Sequence, residues 1–91
     1  MKKNNTKYLA KYEADMITSL FYSYVRQLPS SVLMEIDKIY TDETGKSLNT
    51  NFYCSGCILK LFKNIAYLYF KENLDRLEPD LQEKFKSRYK A

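Results

Sequence analysis

The pattern that most constrains this chain lies in residues 51–71, where apolar side chains recur at steps of three and four residues. At about 100° per residue, such steps place the apolar residues on one side of an α-helix and the intervening lysines on the other. We therefore expect an amphipathic helix that packs at the centre of the fold. Its apolar side comprises Ile58, Leu61, Phe62, Ile65, Leu68 and Tyr69.

Three further segments have helical periodicity. The first extends from about residue 6 to Gln27, the second follows Pro29 and ends near Thr41, and the last begins at Pro79. Proline disfavours helical geometry in the residue before it but suits a first helical turn, so each proline separates two helices. No segment has the alternation typical of a β-strand. The sequence predicts the all-α fold class, as a compact bundle of about four helices with the third helix central.

The length of 91 residues fits one helical domain over residues 1–91. A chain of this size buries about 60–65% of its unfolded surface, so we expect a single thin core. Residues 1–5 are basic and polar, and we expect them to form a frayed arm. Residues 41–51 are polar and contain Gly45, which predicts the longest loop.

The third helix is long enough to raise the question of a membrane span. Lys60, Lys63 and Asn64 lie near its middle, and each central lysine costs about 2.5–3.5 kcal/mol on insertion. No apolar N-terminal segment resembles a signal peptide, and the two cysteines are too close in sequence to join distant parts of a secreted fold. We therefore expect no membrane contact and a cytoplasmic location.

Cys54 and Cys57 have the two-residue spacing found in redox pairs and zinc sites. A helix N-terminus favours the thiolate and suits a disulfide switch, although no thioredoxin-like βαβ unit surrounds this pair. Zinc needs four ligands, and a chain without histidine supplies them only if two copies share one ion. The interpretation we favour is a pair of buried thiols beside Gly56, whose small size allows close helix packing.

Catalysis is not expected from these residues. The chain has no histidine, so acid–base chemistry at neutral pH would require a carboxylate, lysine or tyrosine with a shifted pKa, and nothing pairs such groups convincingly. Gly45, Lys46 and Ser47 resemble the end of a phosphate-binding loop, but Tyr40 stands where that loop needs glycine. The sequence predicts a protein that is not an enzyme and has no cofactor.

A stripe of basic and polar side chains on the outer side of the third helix is a candidate nucleic-acid surface. Lysine neutralises phosphates, and tyrosine stacks on bases or bonds to the backbone. The net charge of +4, from 15 basic and 11 acidic side chains, is mild, and the stripe has no arginine to read bases. A solvated helix face is the interpretation we favour here. The stripe comprises Lys60, Lys63, Asn64, Tyr67 and Lys71.

The run from Cys54 to Phe70 resembles a type of small protein found in Bacteroidota and their bacteriophages. The resemblance covers less than a quarter of the chain and carries no activity to transfer. It implies a small phage-encoded or phage-related protein in the cytoplasm of the host cell. The residues that carry it are Cys54, Cys57, Leu59, Lys60, Leu61, Lys63, Tyr69 and Phe70.

Tyrosine accounts for nine of the fourteen aromatic residues, and its ring can be half-buried while its hydroxyl stays in water, as protein interfaces require. The leading hypothesis is a non-enzymatic protein that binds an unidentified protein and itself, as a homo-oligomer. The alternative is a nucleic-acid-binding accessory protein that uses the basic stripe. The candidate protein-binding residues are Phe21, Tyr24, Phe62, Tyr69 and Phe70.

Overall fold

The computed structural model describes residues 1–89, and this part of the chain contains no β-strand. Helices α1 and α2 follow each other through one 3-10 turn, so residues 1–89 form four helical stretches, and the predicted all-α bundle of about four helices is confirmed. A second 3-10 turn, Leu74–Arg76, precedes the last helix. The α-helices are α1 (Lys3–Leu9), α2 (Glu13–Tyr22), α3 (Ser30–Thr44), α4 (Ser55–Glu72) and α5 (Pro79–Arg88).

Helix α4 is the central helix, as the periodicity predicts. Helices α2 and α3 both pack against it, and their buried side chains join those of α4 in one hydrophobic cluster. Burial of each large apolar side chain contributes about 1.5–3 kcal/mol, so the apolar side of α4 supplies much of the core. Two of the residues predicted for that side, Ile58 and Leu68, are only half-buried. The buried residues of α4 are Leu61, Phe62, Ile65, Ala66, Tyr69 and Phe70.

The first helix ends earlier than its apolar spacing predicts. Instead of continuing to Gln27, α2 stops at Tyr22, because Ser23 adopts a left-handed conformation with φ of 52°. The Tyr24 backbone N–H then bonds to the Thr18 carbonyl at 3.1 Å, which satisfies a carbonyl of the last helical turn. Residues 24–29 therefore leave the helix axis and run to α3 in irregular conformation.

The expectation that residues 1–5 form a frayed arm is wrong in this structure. Helix α1 already begins at Lys3. The Lys2 backbone N–H donates to Glu43 at 2.8 Å, and the Lys2 ammonium donates to Asp42 at 2.7 Å. The Asn5 amide donates to the same two carboxylates at 2.9 and 2.7 Å. The acidic end of α3 therefore holds the basic N-terminus, a contact that the local sequence did not indicate.

The other helix boundaries differ from expectation by less than two turns. Helix α3 continues past Thr41 to Thr44 and ends at Gly45, whose φ is 72° and whose N–H bonds to the Thr41 carbonyl at 2.8 Å. Helix α4 begins at Ser55 rather than near residue 51, where its periodic pattern begins, and Cys54 is its N-cap. Helix α5 begins at Pro79, as predicted.

A hydrogen-bonded group of three side chains joins α2, α4 and the second 3-10 turn. The Tyr69 hydroxyl donates to the Glu13 carboxylate at 2.5 Å, and the Arg76 guanidinium donates to both Glu13 oxygens at 2.9 Å. Hydrogen bonds from Arg76, and then from Tyr69, hold the pKa of Glu13 below its ordinary value. Burial and the Glu13 carboxylate raise the pKa of Tyr69 to about 12. At neutral pH the group therefore contains a carboxylate, a neutral phenol and a guanidinium.

Alanine substitutions of the two glycines test whether each position requires the conformational freedom of glycine. Replacement of Gly45 by alanine should lower the free energy of unfolding by about 1 kcal/mol, because an L-residue at positive φ is strained. The space around Gly45 is open, so strain is the whole effect. Replacement of Gly56 by alanine, in the first turn of α4, should raise stability by about 0.5 kcal/mol. Urea unfolding measures both, and destabilisation of equal size at the two positions would contradict the assignment.

The Glu13 group predicts a dependence of stability on pH. Because the pKa of Glu13 is lower in the folded than in the unfolded protein, its contribution is complete above the unfolded pKa of about 4.3 and is lost as the pH falls through the folded pKa. We expect Glu13→Gln to cost about 1 kcal/mol at pH 7, and the difference from wild type to shrink below pH about 4.3. Urea unfolding of both proteins at several pH values measures this difference in the free energy of unfolding.

A matched control for that experiment is Glu83→Gln, which changes an exposed carboxylate of α5. We expect it to change stability by less than about 0.5 kcal/mol at neutral pH. A Glu13→Gln effect that stays constant down to pH 2 would contradict the role of the charged carboxylate.

Candidate functional site

A mainly apolar groove of about 630 Å³ lies at the end of the bundle where α2 stops and α4 begins. One wall is the irregular segment 25–29, the second is the loop that precedes α4, and Ser30, Leu33 and Ile58 contribute from helices. We call this site the groove. Its full lining is Val25, Arg26, Gln27, Leu28, Pro29, Ser30, Leu33, Phe52, Tyr53, Ser55 and Ile58.

An ion pair holds the first wall in place. The Arg26 guanidinium donates to the two oxygens of Asp15 at 2.7 and 3.3 Å, and the Asp15 side chain is only 7% exposed. The left-handed turn at Ser23 brings Arg26 back over α2, where Asp15 lies. A buried carboxylate is costly without a partner, so the pair fixes the path of the irregular segment. Val25 and Leu28 of the same segment pack against the core.

Exposed apolar side chains surround the groove. Tyr53 lines it and is fully exposed. Tyr24, which is 60% exposed, lines an adjoining depression that shares Val25 with the groove. Met34, 59% exposed, lies one helical turn after Ser30 on α3. Clustered exposed apolar groups mark interaction sites more reliably than single ones.

The structure separates the five candidate protein-binding residues into two groups. Phe62, Tyr69 and Phe70 have at most 2% of their surface exposed and belong to the core, so their assignment as contact residues is wrong. Phe21 is half-buried, with the Arg88 guanidinium 5.7 Å from its ring centre. Tyr24 remains exposed beside the groove.

Sequence reasoning missed Tyr53 and Met34 as exposed groups. Met34 lies in α3, whose buried residues are Leu33, Ile36 and Ile39, and an apolar methionine next to such a face gives no sequence signal of exposure. Tyr53 lies just before α4, in a segment that was read as helix. A helix prediction for that segment gives no reason to expect that the Tyr53 ring is completely exposed.

The predicted basic stripe lies along the outer side of α4, but several of its side chains bond within the protein. Lys63 donates to the Ser23 hydroxyl at 2.9 Å, and the Asn64 amide donates to the Lys60 carbonyl at 2.8 Å. The Tyr67 ring packs against Tyr89 and Phe85 of the C-terminal segment, with centre-to-centre distances of 4.8 and 6.0 Å. The Lys71 ammonium lies 5.7 Å from the Tyr67 ring centre.

Cys54 and Cys57 occupy the start of α4, next to the groove. Both are half-buried rather than buried, so the interpretation as fully buried thiols is corrected. The Cys54 sulfur accepts the Cys57 backbone N–H at 3.3 Å and thereby caps the helix. Gly56 is exposed, and an added Cβ would lie 4.0 Å from the Cys54 sulfur as its nearest contact. Close helix packing therefore does not require this glycine.

Electrostatics distinguishes the two thiols. Interaction with the Cys57 thiol and backbone N–H groups lowers the pKa of Cys54, whereas interaction with Cys54 and burial raise the pKa of Cys57. In residues 1–89 no group of three or more histidine, cysteine or acidic side chains is arranged to hold a metal ion. The zinc ion shared between two copies through Cys54 and Cys57 stays a prediction.

Comparison of the chain with protein-family models, with curated proteins and with solved structures found no match in any of the three. Of the helices in residues 1–89, none is both long and apolar enough to cross a membrane.

The Arg26–Asp15 pair should hold the groove wall. Replacement of Arg26 by methionine leaves the buried Asp15 carboxylate without its partner, and we expect the melting temperature to fall by about 5 °C. The double variant with Asp15→Asn should recover part of that loss, because the buried charge is then absent. Thermal unfolding followed by circular dichroism measures both. Equal losses in the single and the double variant would show that the pair does not hold the wall.

Proposed function

We propose that this protein acts by binding protein through the groove, and that the occupant of the groove is a second copy of the same chain. The observation that carries the proposal is the exposed Tyr53 ring at the edge of an apolar groove. An aromatic ring left fully in water gains from burial, and tyrosine is enriched among residues that dominate interface energies.

The position of Tyr53 supports a symmetric pair. In a two-fold dimer the same patch on both subunits must be complementary to itself. Here the groove and the projecting ring lie on one face, since Tyr53 itself lines the groove together with Phe52 and Ser55 of the same short stretch of chain. A two-fold axis beside the loop would place each Tyr53 ring in the groove of the other copy, against Val25 and Leu28.

Charge also favours a second copy as the occupant. The protein carries a net charge of +4, so two copies repel each other unless the facing surfaces are neutral. Arg26 is the one charged residue among those that line the groove in residues 1–89, and Asp15 neutralises it. The remaining polar lining residues, Gln27, Ser30 and Ser55, are uncharged. Contact between two such faces brings no like charges together.

The wider context of the proposal comes from the sequence. The run from Cys54 to Phe70 resembles small proteins of Bacteroidota and their phages, which supports a phage-type protein of the host cytoplasm. The absence of histidine from the chain supports a non-enzymatic role. Nucleic-acid binding through Lys60, Lys63, Asn64, Tyr67 and Lys71 is the competing function, and the same experiment distinguishes it.

The test is the mass of the purified protein by light scattering over a range of concentrations, at low and high salt. We expect the mass of a dimer at both salt concentrations. Addition of a short DNA duplex should leave that mass unchanged. Tyr53→Glu should weaken dimerisation by at least about tenfold, which corresponds to about 1.4 kcal/mol. Because Tyr53 is fully exposed in the single chain, the substitution should leave the melting temperature of the monomer unchanged.

The matched control is Tyr22→Glu, since Tyr22 is 64% exposed but does not line the groove. We expect this variant to dimerise like wild type. A protein that is monomeric at all concentrations, or a Tyr53→Glu variant that dimerises like wild type, would refute the proposed interface. A mass that increases with DNA only at low salt would favour the nucleic-acid function.

A further inference from the structure

The two cysteines lie close enough to each other to form a disulfide bond. Cys54 is the N-cap of an 18-residue helix, and Cys57 is three residues further along. The Cys57 backbone N–H bonds to the Cys54 carbonyl at 3.1 Å and to the Cys54 sulfur at 3.3 Å, so the first turn is closed. In a helical turn the Cα atoms of residues i and i+3 are about 5 Å apart. Disulfides span about 4.4–6.8 Å between Cα atoms, so this spacing meets the distance that a bridge requires.

The two sulfurs also have different surroundings. The Cys54 sulfur accepts a hydrogen bond from the Cys57 backbone N–H at the helix start, and the Cys57 thiol interacts with Cys54. These contacts favour the thiolate of Cys54 and the protonated thiol of Cys57, and the directions of their pKa shifts agree. Both residues are partly accessible to solvent. An accessible thiolate next to a second thiol is the arrangement of a dithiol that exchanges with disulfides.

We propose that Cys54 and Cys57 form a redox-active dithiol that is oxidised by disulfides of low-molecular-weight thiols. The Cys54 thiolate attacks one sulfur of the small disulfide, forms a mixed disulfide and releases one small thiolate. Cys57 then loses its proton and attacks the Cys54 sulfur, and the second small thiolate leaves. The two protein thiols are oxidised by two electrons, the small disulfide is reduced, and both protons pass to the released thiolates.

This dithiol is independent of the proposed dimer. Tyr53 and Ser55 line the groove, whereas Cys54 and Cys57 do not. Oxidation joins the two sulfur atoms within the first turn of α4 and involves neither Tyr53 nor the walls at Val25 and Leu28. Failure of the dimer interface would therefore leave the dithiol untouched, and a non-reactive dithiol would leave the dimer untouched.

The test is incubation of the reduced, chelator-treated wild-type protein with oxidised glutathione at pH 7, followed by intact-mass measurement without reductant. We expect the mass of a single chain that has lost two hydrogens and carries no glutathione, with no covalent link between chains. Concentrated urea removes the helix start, and the rate of the first step should then fall by about tenfold. Wild-type protein that stays reduced, carries two glutathiones or forms a disulfide-linked dimer would overturn the proposal.

Two single variants assign the roles. Cys57→Ser should accumulate one glutathione on Cys54, because the second attack is no longer available. Cys54→Ser should react at least about tenfold more slowly, because Cys57 lacks the favoured thiolate. Equal rates for the two variants would overturn the assignment of Cys54 as the attacking residue. Circular dichroism establishes that both variants keep their helices, and the wild-type result stands by itself if one of them does not fold.

Discussion

The packing of α2 against α4 determines where the rest of the chain lies. Met16 and Leu20 of α2 are buried in the cluster formed by the apolar side of α4. The Tyr69 hydroxyl bonds to Glu13 at the start of α2, and Arg76 bonds to the same carboxylate from the turn after α4. The apolar contact holds α2 against α4, and the hydrogen bonds to Glu13 fix the position of α2 along α4. The apolar contact alone would allow the two helices to slide along each other.

The groove follows from how α2 ends. If the helix continued to Gln27, its last turn would extend past the start of α4 and leave no concave surface. The left-handed Ser23 and the pairing of Arg26 with the buried Asp15 turn the chain back instead. The same two features place Val25 and Leu28 opposite Phe52. The ion pair that holds the segment after Ser23 therefore also creates the apolar groove.

The loop that precedes α4 joins the two functional proposals. Tyr53 projects into water from it and Cys54 caps the helix that follows. The two adjacent residues have different roles because one belongs to the loop and the other meets the backbone N–H groups of the helix. Protein binding and thiol chemistry occur at neighbouring positions, but they depend on different atoms.

Much of the fold could be read from the sequence, because the period of the apolar residues in an α-helix is a local property. The four helical stretches, the central helix and the starts after Pro29 and at Pro79 were predictable in this way. The same period could not show that Tyr24 is exposed while Phe62 and Tyr69 are buried, since an aromatic residue on an apolar stripe fits either place. The end of α2, the anchored N-terminus and the groove depend on contacts between residues far apart in the chain, such as Lys2 with Asp42 and Arg26 with Asp15. The sequence by itself determined which segments are helices, and the tertiary structure decided which side chains remain in water, because exposure depends on what packs against each face.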